Sequence, residues 1–342
     1  MLFVDTLLRW YEENRRDLPW RGEDDPYKIW VSEIILQQTR IKQGWEYYLH
    51  FIEKFPDIAS LAFADSQDVL KVWQGLGYYS RARNMQEAAR SIMENHNGEF
   101  PRHYDDILKL KGIGEYTASA IASMAYGLPY AAVDGNVFRI ICRIFGIFDN
   151  ILSPSTKQKV TAKCLELMGN AKPGDFNQAM MDFGSLQCTP RNPNCEECPF
   201  RKDCYAFKNE AVGKLPVKIK SNKIRKRYFH YFCFLKEDRV MVRQRTGNDI
   251  LKGLFEFPLM ESGEIRSDEI EELLRRYCHS GEPDWQIKHH LSHQTIFAFF
   301  YIIRVNEFPL IQDKDTIIKT DRIPEFPFPK IIAEFIENKI VG

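Results

Sequence analysis

The sequence predicts a multi-domain chain, an all-α region followed by a smaller α+β domain, on three observations. Up to about residue 205 the apolar residues recur at helical spacing and no strand signal competes with them. Four of the eight cysteines crowd into Cys188 to Cys204, where that helical run ends. From Tyr228 the periodicity turns towards strands. At 342 residues there is room for two or three domains with cores of their own.

The helical region begins with a short amphipathic helix, Asp5 to Asn14, ended before Leu18-Pro19-Trp20-Arg21. Asp25 caps a second helix, with Pro26 at its first position, predicted to run to about Phe55. Ile29, Glu33 and Leu36 share one face of it. An acid on an apolar stripe is unusual, and burial there raises its pKa towards the working range of a general acid. The plainer alternative is a glutamate that satisfies nearby backbone. Gln37-Gln38-Thr39-Arg40 form a polar cluster inside the same predicted helix.

Further helices are expected over Asp65 to Trp73 and Ser80 to Glu94, joined by Gly75-Leu76-Gly77-Tyr78-Tyr79. With Arg81 and Arg83 beside it, that loop is either a DNA-contacting turn or a helix cap with its aromatics folded inwards. Thr156 to Met168 and Asn177 to Leu186 are two more helices. Residues 211 to 227 carry seven lysines and arginines without one acid, an interdomain linker that either follows phosphates or is simply solvated. Beyond it, Tyr228 to Leu235, Val240 to Gln244 and Ile296 to Val305 are expected strands. Asp268 to Tyr277 and Pro329 to Asn338 are expected helices.

Composition narrows the classes. Hydrophobic content of 44% and aromatic content of 13% are globular values, and no apolar run reaches membrane-spanning length. Asp5, Arg9, Glu12 and Glu13 interrupt the first apolar stretch, so no signal or transit peptide is expected and a cytoplasmic location is the default. Net charge is zero, so binding to nucleic acid has to rest on local basic patches.

Two stretches carry chemistry. Leu110-Lys111-Gly112-Ile113-Gly114 opens a helix, and Gly112 and Gly114 let backbone N–H groups approach a phosphate. Downstream, Val133-Asp134-Gly135-Asn136 leads into a helix over Val137 to Phe145. Asp134 thus falls at a helix N-terminus, where the dipole favours its ionised form. Taken alone, it would be an ordinary cap. Cys188, Cys195, Cys198 and Cys204 are spaced C-x6-C-x2-C-x5-C. Four thiolates on one loop suit an iron–sulfur cluster, whereas zinc sites more often use paired C-x2-C knuckles and a disulfide pair is the third option.

Together, the glycine hairpin, the Asp134 segment and the cysteine loop resemble the helix–hairpin–helix DNA glycosylases. Leu18-Pro19-Trp20-Arg21, Ser32-Glu33-Ile34-Ile35-Leu36-Gln37-Gln38-Thr39 and Gly75-Leu76-Gly77-Tyr78-Tyr79 narrow the resemblance to the MutY-type adenine DNA glycosylases, across essentially the whole chain. The resemblance implies an all-α helix–hairpin–helix glycosylase core with an iron–sulfur cluster loop, then an α+β Nudix-like domain. The implied division has an all-α catalytic region over 1–210, in which 23–134 form a six-helix barrel and 1–22 plus 135–210 the cluster domain. A basic linker over 211–227 and a lesion-recognition domain over 228–342 follow.

The implied activity is hydrolysis of the glycosidic bond of adenine mispaired with 8-oxoguanine or guanine in double-stranded DNA, by base flipping. Glu33 matches the general acid that protonates the adenine ring, and Asp134 the carboxylate that stabilises the cationic sugar. Tyr116 and Asn136 match polar residues supporting that anion, and Gln178 an adenine-pocket position. Arg21 and Leu36 match further substrate-binding positions, and Gln38 and Tyr78 the residues that wedge into the stack. The implied cofactor is one 4Fe–4S cluster on the four cysteines, with room for a monovalent cation or calcium at the hairpin and no nucleotide cofactor. DNA is the expected partner, with no membrane, and a monomer is expected.

Endonuclease III shares hairpin, aspartate and cluster, but carries a Schiff-base lysine where Tyr116 stands, so a monofunctional enzyme is expected here. A bifunctional pyrimidine glycosylase/lyase and a non-catalytic iron–sulfur DNA sensor are the alternatives. In the C-terminal domain Gly253-Leu254-Phe255-Glu256-Phe257-Pro258 fits a Nudix-like module, while the acidic magnesium-binding motif is missing from Ser267 to Tyr277. Leu291, Ser292 and His293 stand where the family carries a phenylalanine-serine-histidine loop that reads 8-oxoguanine. Leu291 replaces the aromatic, which bears on the stacking part of recognition, and Ser292 and His293 keep the hydrogen-bonding part.

Overall fold

The structure is a computed structural model that describes residues 3–219, 225–247, 249–265, 267–291, 294–309 and 315–340. The chain divides into two compact units, one formed by 1–63 and 87–220, the other by 64–86 and 221–342. The chain-order expectation put 64–86 with the helical region; here it groups with the C-terminal unit. The reason is visible within that unit. Tyr79 is buried and donates from its hydroxyl to the Phe328 carbonyl at 3.3 Å, and Arg83 Nη1 donates to the Lys252 carbonyl at 2.7 Å.

The helical elements are α1 (Phe3–Asn14), α2 (Pro26–Leu36), α3 (Ile41–Lys54), α4 (Ile58–Phe63), α5 (Ser66–Val72), α6 (Ser80–Asn95) and α7 (Tyr104–Lys109). After the hairpin come α8 (Glu115–Tyr126), α9 (Gly135–Phe145), α10 (Pro154–Met168), α11 (Pro173–Leu186) and α12 (Tyr205–Lys208). Asp25 caps α2 by accepting from Tyr27 N at 2.9 Å, with Pro26 at the first position. From Tyr27 to Ile35 only Lys28 escapes full burial, so α2 is the central helix of its unit.

The helix expected to continue to Phe55 stops at Leu36. Gln38 takes a left-handed backbone, φ +60, which an α-helix cannot contain, and α3 starts afresh at Ile41. The polar cluster at 37–40 is therefore the break itself. The start of the expected linker is also packed. Ala211 and Leu215 are buried against Ala206, and the Leu215 carbonyl accepts from Arg143 Nε at 3.1 Å.

Among the described residues the C-terminal unit is built on a seven-stranded mixed sheet. Its strands are β1 (Arg225–Lys236), β2 (Arg239–Gln244), β3 (Phe255–Glu256), β4 (Leu259–Ser262), β5 (Trp285–His290), β6 (Gln294–Arg304) and β7 (Asp315–Lys319). The order is β3-β2-β1-β6-β5, with β4 pairing β1 and β7 pairing β2; β1 and β6 run parallel, the others antiparallel. Period-2 alternation sends Phe299 and Tyr301 to one face, under α13 (Asp268–Arg276), and Phe300 to the other. There Phe300 stacks on Phe335 of α14 (Lys330–Lys339), ring centroids 4.4 Å apart. Arg227, expected in the basic linker, lies on β1 and is ion-paired with Asp249 and Glu261 at 3.1 and 2.7 Å. Among the described residues no helix is long and apolar enough to cross a membrane.

Candidate active site and cluster loop

Glu33 sits in the middle of α2, so its side chain is held by a helix packed on nearly every side. The residue is 8% exposed, on the helix face it shares with Ile29 and Leu36, and burial pushes its pKa up to about 7. The Tyr116 hydroxyl donates to it and Arg21 is close enough to attract it; both pull the value down, while Asp134 adds to the rise. Tyr116, on the first turn of α8, thus bonds to Glu33, whereas the sequence pattern had it supporting Asp134.

Asp134 is the N-cap of α9. Its Oδ1 accepts from Asn136 N at 2.8 Å and Val137 N at 2.9 Å, and its Oδ2 from Asn136 Nδ2 at 2.7 Å. These bonds and Arg139 favour the anion, as the dipole argument expects. Burial opposes them and is larger, so the carboxyl lies above its ordinary value. Glu33 and Asp134 are two walls of one open cavity of about 600 Å³, within the usual range for ligand clefts. Arg16, Arg21, Leu36, Gln38, Gly114, Tyr116, Asn136, Gln178 and Met181 also line it. Most residues singled out for the pocket are thus brought together from α2, α8, α9, α11 and the loop after α1.

The hairpin before α8 is anchored by Leu110 and Ile113, both buried, which leaves Lys111, Gly112 and Gly114 exposed. Gly112 has φ +78, a conformation that asks for glycine; Gly114 is the N-cap of α8. Tyr78, in the other unit, also has a left-handed backbone, φ +48, and is 41% exposed. Its neighbours Arg81 and Tyr79 are committed within that unit: Arg81 Nη2 donates to the Gly77 carbonyl at 3.1 Å, and Tyr79 is buried. The loop after α5 therefore shows one aromatic outwards and one inwards. Leu291 is half-buried and closes the turn between β5 and β6 by donating its N–H to the Gln294 carbonyl at 2.8 Å. Ser292 and His293 lie outside the described residues.

Cys188, Cys195, Cys198 and Cys204 line a single cavity, and none of them is in a disulfide. Among the described residues no three His, Cys, Asp or Glu side chains gather as a single-ion site would; the four thiols ring the cavity instead. Arg143 closes one side, with Nη1 3.5 Å from the Cys188 sulfur and 2.8 Å from the Thr189 carbonyl. A ring of four soft thiols with a guanidinium beside one sulfur fits an iron–sulfur group.

Several residues that hold this arrangement escaped the sequence analysis. Arg139 and Arg143 stand one turn apart in the otherwise apolar run Val137 to Phe145, and both are buried. Asp182, 0% exposed, takes bonds from Arg16 and, at 2.6 Å, from Arg21 Nη2. The signal that flagged Glu33, a charge inside an apolar helical stripe, would have found all three.

Comparison with known proteins agrees in each segment. Residues 31–169 match the model of the HhH-GPD superfamily base excision DNA repair proteins, and residues 188–204 that of the iron–sulfur binding domain of endonuclease III. Residues 230–338 match the NUDIX domain. The segment 188–204 is an iron–sulfur binding loop. The chain is 33% identical to the adenine DNA glycosylase of Buchnera aphidicola subsp. Schizaphis graminum, over 98% of both chains. It is 42% identical to the human adenine DNA glycosylase over 60% of this chain and 39% of that one. Among solved structures, a thermostable thymine-DNA glycosylase superposes with a TM-score of 0.55 at 32% identity, covering 60% of this chain and 95% of that one. An endonuclease III trapped on DNA superposes with a TM-score of 0.53 at 22% identity, a likeness of fold.

Proposed function

Because the chain belongs to the adenine DNA glycosylase family, we propose that it excises adenine mispaired with 8-oxoguanine, or with guanine, from duplex DNA. The observation that carries this reading is the pairing of two unlike carboxyls across one cavity. Glu33, with its pKa near 7, holds a proton to give, and Asp134 is capped by three N–H donors that favour its anion. Burial raises both carboxyls, but the N–H donors on Asp134 work against that rise in favour of the anion, and acid and anion chemistry in one site rests on such a difference.

In the proposed reaction adenine is flipped out of the stack into the cavity, at a cost of a few kcal/mol that a mispair lowers. Glu33 protonates a ring nitrogen, so the base leaves with the electrons of the glycosidic bond as neutral adenine. Asp134 stabilises the cationic sugar and bonds to it transiently; water then takes that place, losing its proton to the ionised Glu33. Arg21, Leu36 and Gln178 hold the base, and Asn136 keeps Asp134 aimed. Gln38 and Tyr78 wedge into the gap, and the exposed N–H groups around Gly112 and Gly114 grip a phosphate. Leu291, with Ser292 and His293, is assigned to the opposite base.

Tyr116 has no amine for a Schiff base, which supports a monofunctional hydrolase without strand cleavage. The four cysteines suit one 4Fe–4S cluster; Cys188, Cys195 and Cys198 in the loop after α11 and Cys204 at the start of α12 would hold it through their thiolates. The hairpin is a place for a monovalent cation or calcium. We take the enzyme to act as a monomer on double-stranded DNA.

A single-turnover assay tests this. Free adenine should appear from a duplex carrying adenine opposite 8-oxoguanine, far more slowly with adenine opposite thymine, and not at all with Glu33→Gln. No release from the first duplex ends the proposal, and efficient borohydride trapping on DNA would overturn its monofunctional part.

A further inference from the structure

Tyr11, on α1, is absent from the walls of the cavity shared by Glu33 and Asp134, yet it touches two of them. Its hydroxyl donates to Gln178 Oε1 at 2.9 Å, and the Arg21 guanidinium carbon lies 5.9 Å from its ring centroid. The ring is 6% exposed, and burial raises the hydroxyl above its usual pKa, so it remains a donor at neutral pH. Arg21 is fixed a second time, by Asp182. Gln178 has no such second anchor among the described bonds; Tyr11 is what holds its amide.

An unheld glutamine amide can turn over and present either its oxygen or its NH2 group. Turning Gln178 over would leave the buried phenolic proton without an acceptor, at a cost of about 1–3 kcal/mol. One lone pair of Oε1 is committed to Tyr11, and the other is free to face the cavity. A glutamine in that setting pairs with adenine through two bonds, its oxygen taking an exocyclic N–H and its nitrogen giving to N7. Hypoxanthine and guanine have an oxygen in place of that amino group, so Oε1 would meet another acceptor.

We propose that Tyr11 is the positioning residue that sets purine choice, by locking the Gln178 amide with its oxygen as the acceptor towards the base. This rests on the adenine-excision function proposed above. Tyr11 never touches the substrate; it acts by denying Gln178 the flipped state that would admit an oxygen-bearing purine.

Tyr11→Phe isolates the hydroxyl, because the ring that packs under Arg21 stays. Single-turnover rates are measured on two duplexes that differ only in having adenine or hypoxanthine at the target position. In the parent the ratio of rates favours adenine. In Tyr11→Phe the ratio should fall about tenfold, the worth of one net hydrogen bond, while thermal denaturation confirms the fold. In a Gln178→Met background, with no amide to hold, adding Tyr11→Phe should leave the ratio where Gln178→Met put it.

An unchanged ratio in folded Tyr11→Phe overturns the inference, and so does an equal fall in both backgrounds, since Tyr11 would then act through something other than Gln178. If the parent releases no adenine, the function itself has failed and the inference falls with it. If the parent releases adenine but Tyr11→Phe discriminates as well as the parent, only the role of Tyr11 is lost.

Discussion

Arg139 Nη2 donates to Asn136 Oδ1 at 2.7 Å, while Nε of the same guanidinium donates to the Cys188 carbonyl, also at 2.7 Å. Asn136 in turn holds Asp134 Oδ2. One side chain thus joins the residue that aims Asp134 to the first cysteine of the cluster loop. Arg139→Gln should lower single-turnover excision by ten- to a hundredfold, as loss of charge-assisted bonds worth about 1.5–3 kcal/mol implies. Arg139→Lys keeps the charge but not the fork, and should restore little of the rate. Normal rates in both variants, at normal iron content, would show that Asp134 does not depend on this link.

Glu33 should make stability fall as pH rises. Its folded pKa is about 7 against 4.5 for the free side chain. Between those values the folded chain keeps a proton that the unfolded chain has lost, so each step up in pH favours unfolding. The effect amounts to about 3 kcal/mol at most, at 1.36 kcal/mol per pKa unit. Glu33→Gln should therefore remove activity yet be more stable than the parent at pH 8, and no more stable at pH 4. Denaturant titrations at the two pH values measure this; a parent and variant that run parallel across the window would contradict it. The parent's excision rate should also drop above about pH 7, as the acid ionises.

Gly184 lies against the residue that positions Asp134. A Cβ there would come 2.5 Å from Asn136 Cβ and 3.1 Å from its Cα, too close for either to stay in place. Gly184→Ala should cost about 1–3 kcal/mol of stability by overpacking, and should slow excision because Asn136 must move. The melting midpoint and the single-turnover rate are the readouts. A variant that melts normally and excises normally would mean that the two helices separate easily.

The two hairpin glycines should not respond alike. Gly112 has φ +78, so Gly112→Ala should cost about 1–2 kcal/mol in backbone strain and weaken DNA binding. Gly114 has φ −98 and nothing within 4 Å of a would-be Cβ. Gly114→Ala should melt within about 0.5 kcal/mol of the parent and weaken binding only through the methyl group's bulk near the phosphate. Thermal melts and duplex-binding titrations distinguish the cases; equal destabilisation would remove the conformational argument for Gly112.

What the sequence made legible was whatever has a local cause. The cap at Asp25, the glycine hairpin and the cap at Asp134 are each set by residues within about a turn of one another, and the cysteine spacing by the single short segment 188–204; the fold contains each of them. Long-range choices were hidden. The break after Leu36 depends on Gln38 adopting φ +60, which its type does not announce. Strands β5 and β7 were missed because neither stretch shows a clean apolar run; β5 is held by its hairpin neighbour β6, and β7 by β2, distant in sequence. Tyr116 was legible as a site residue but not in its bond to Glu33, because the two approach only once α2 and α8 pack.

The assignment of 64–86 to the C-terminal unit has a consequence for dissecting the enzyme. The chain leaves the helical unit after Phe63, returns within α6, and leaves again at about residue 220. No single cut can therefore part the two units. A fragment ending near residue 220 would still carry α5 and the Tyr78 loop, now without the main chain at Lys252 and Phe328 that accepts from Arg83 and Tyr79. Lost activity in such a truncation would report a misplaced loop as well as a missing domain, and the two contributions separate only with point substitutions in the intact chain.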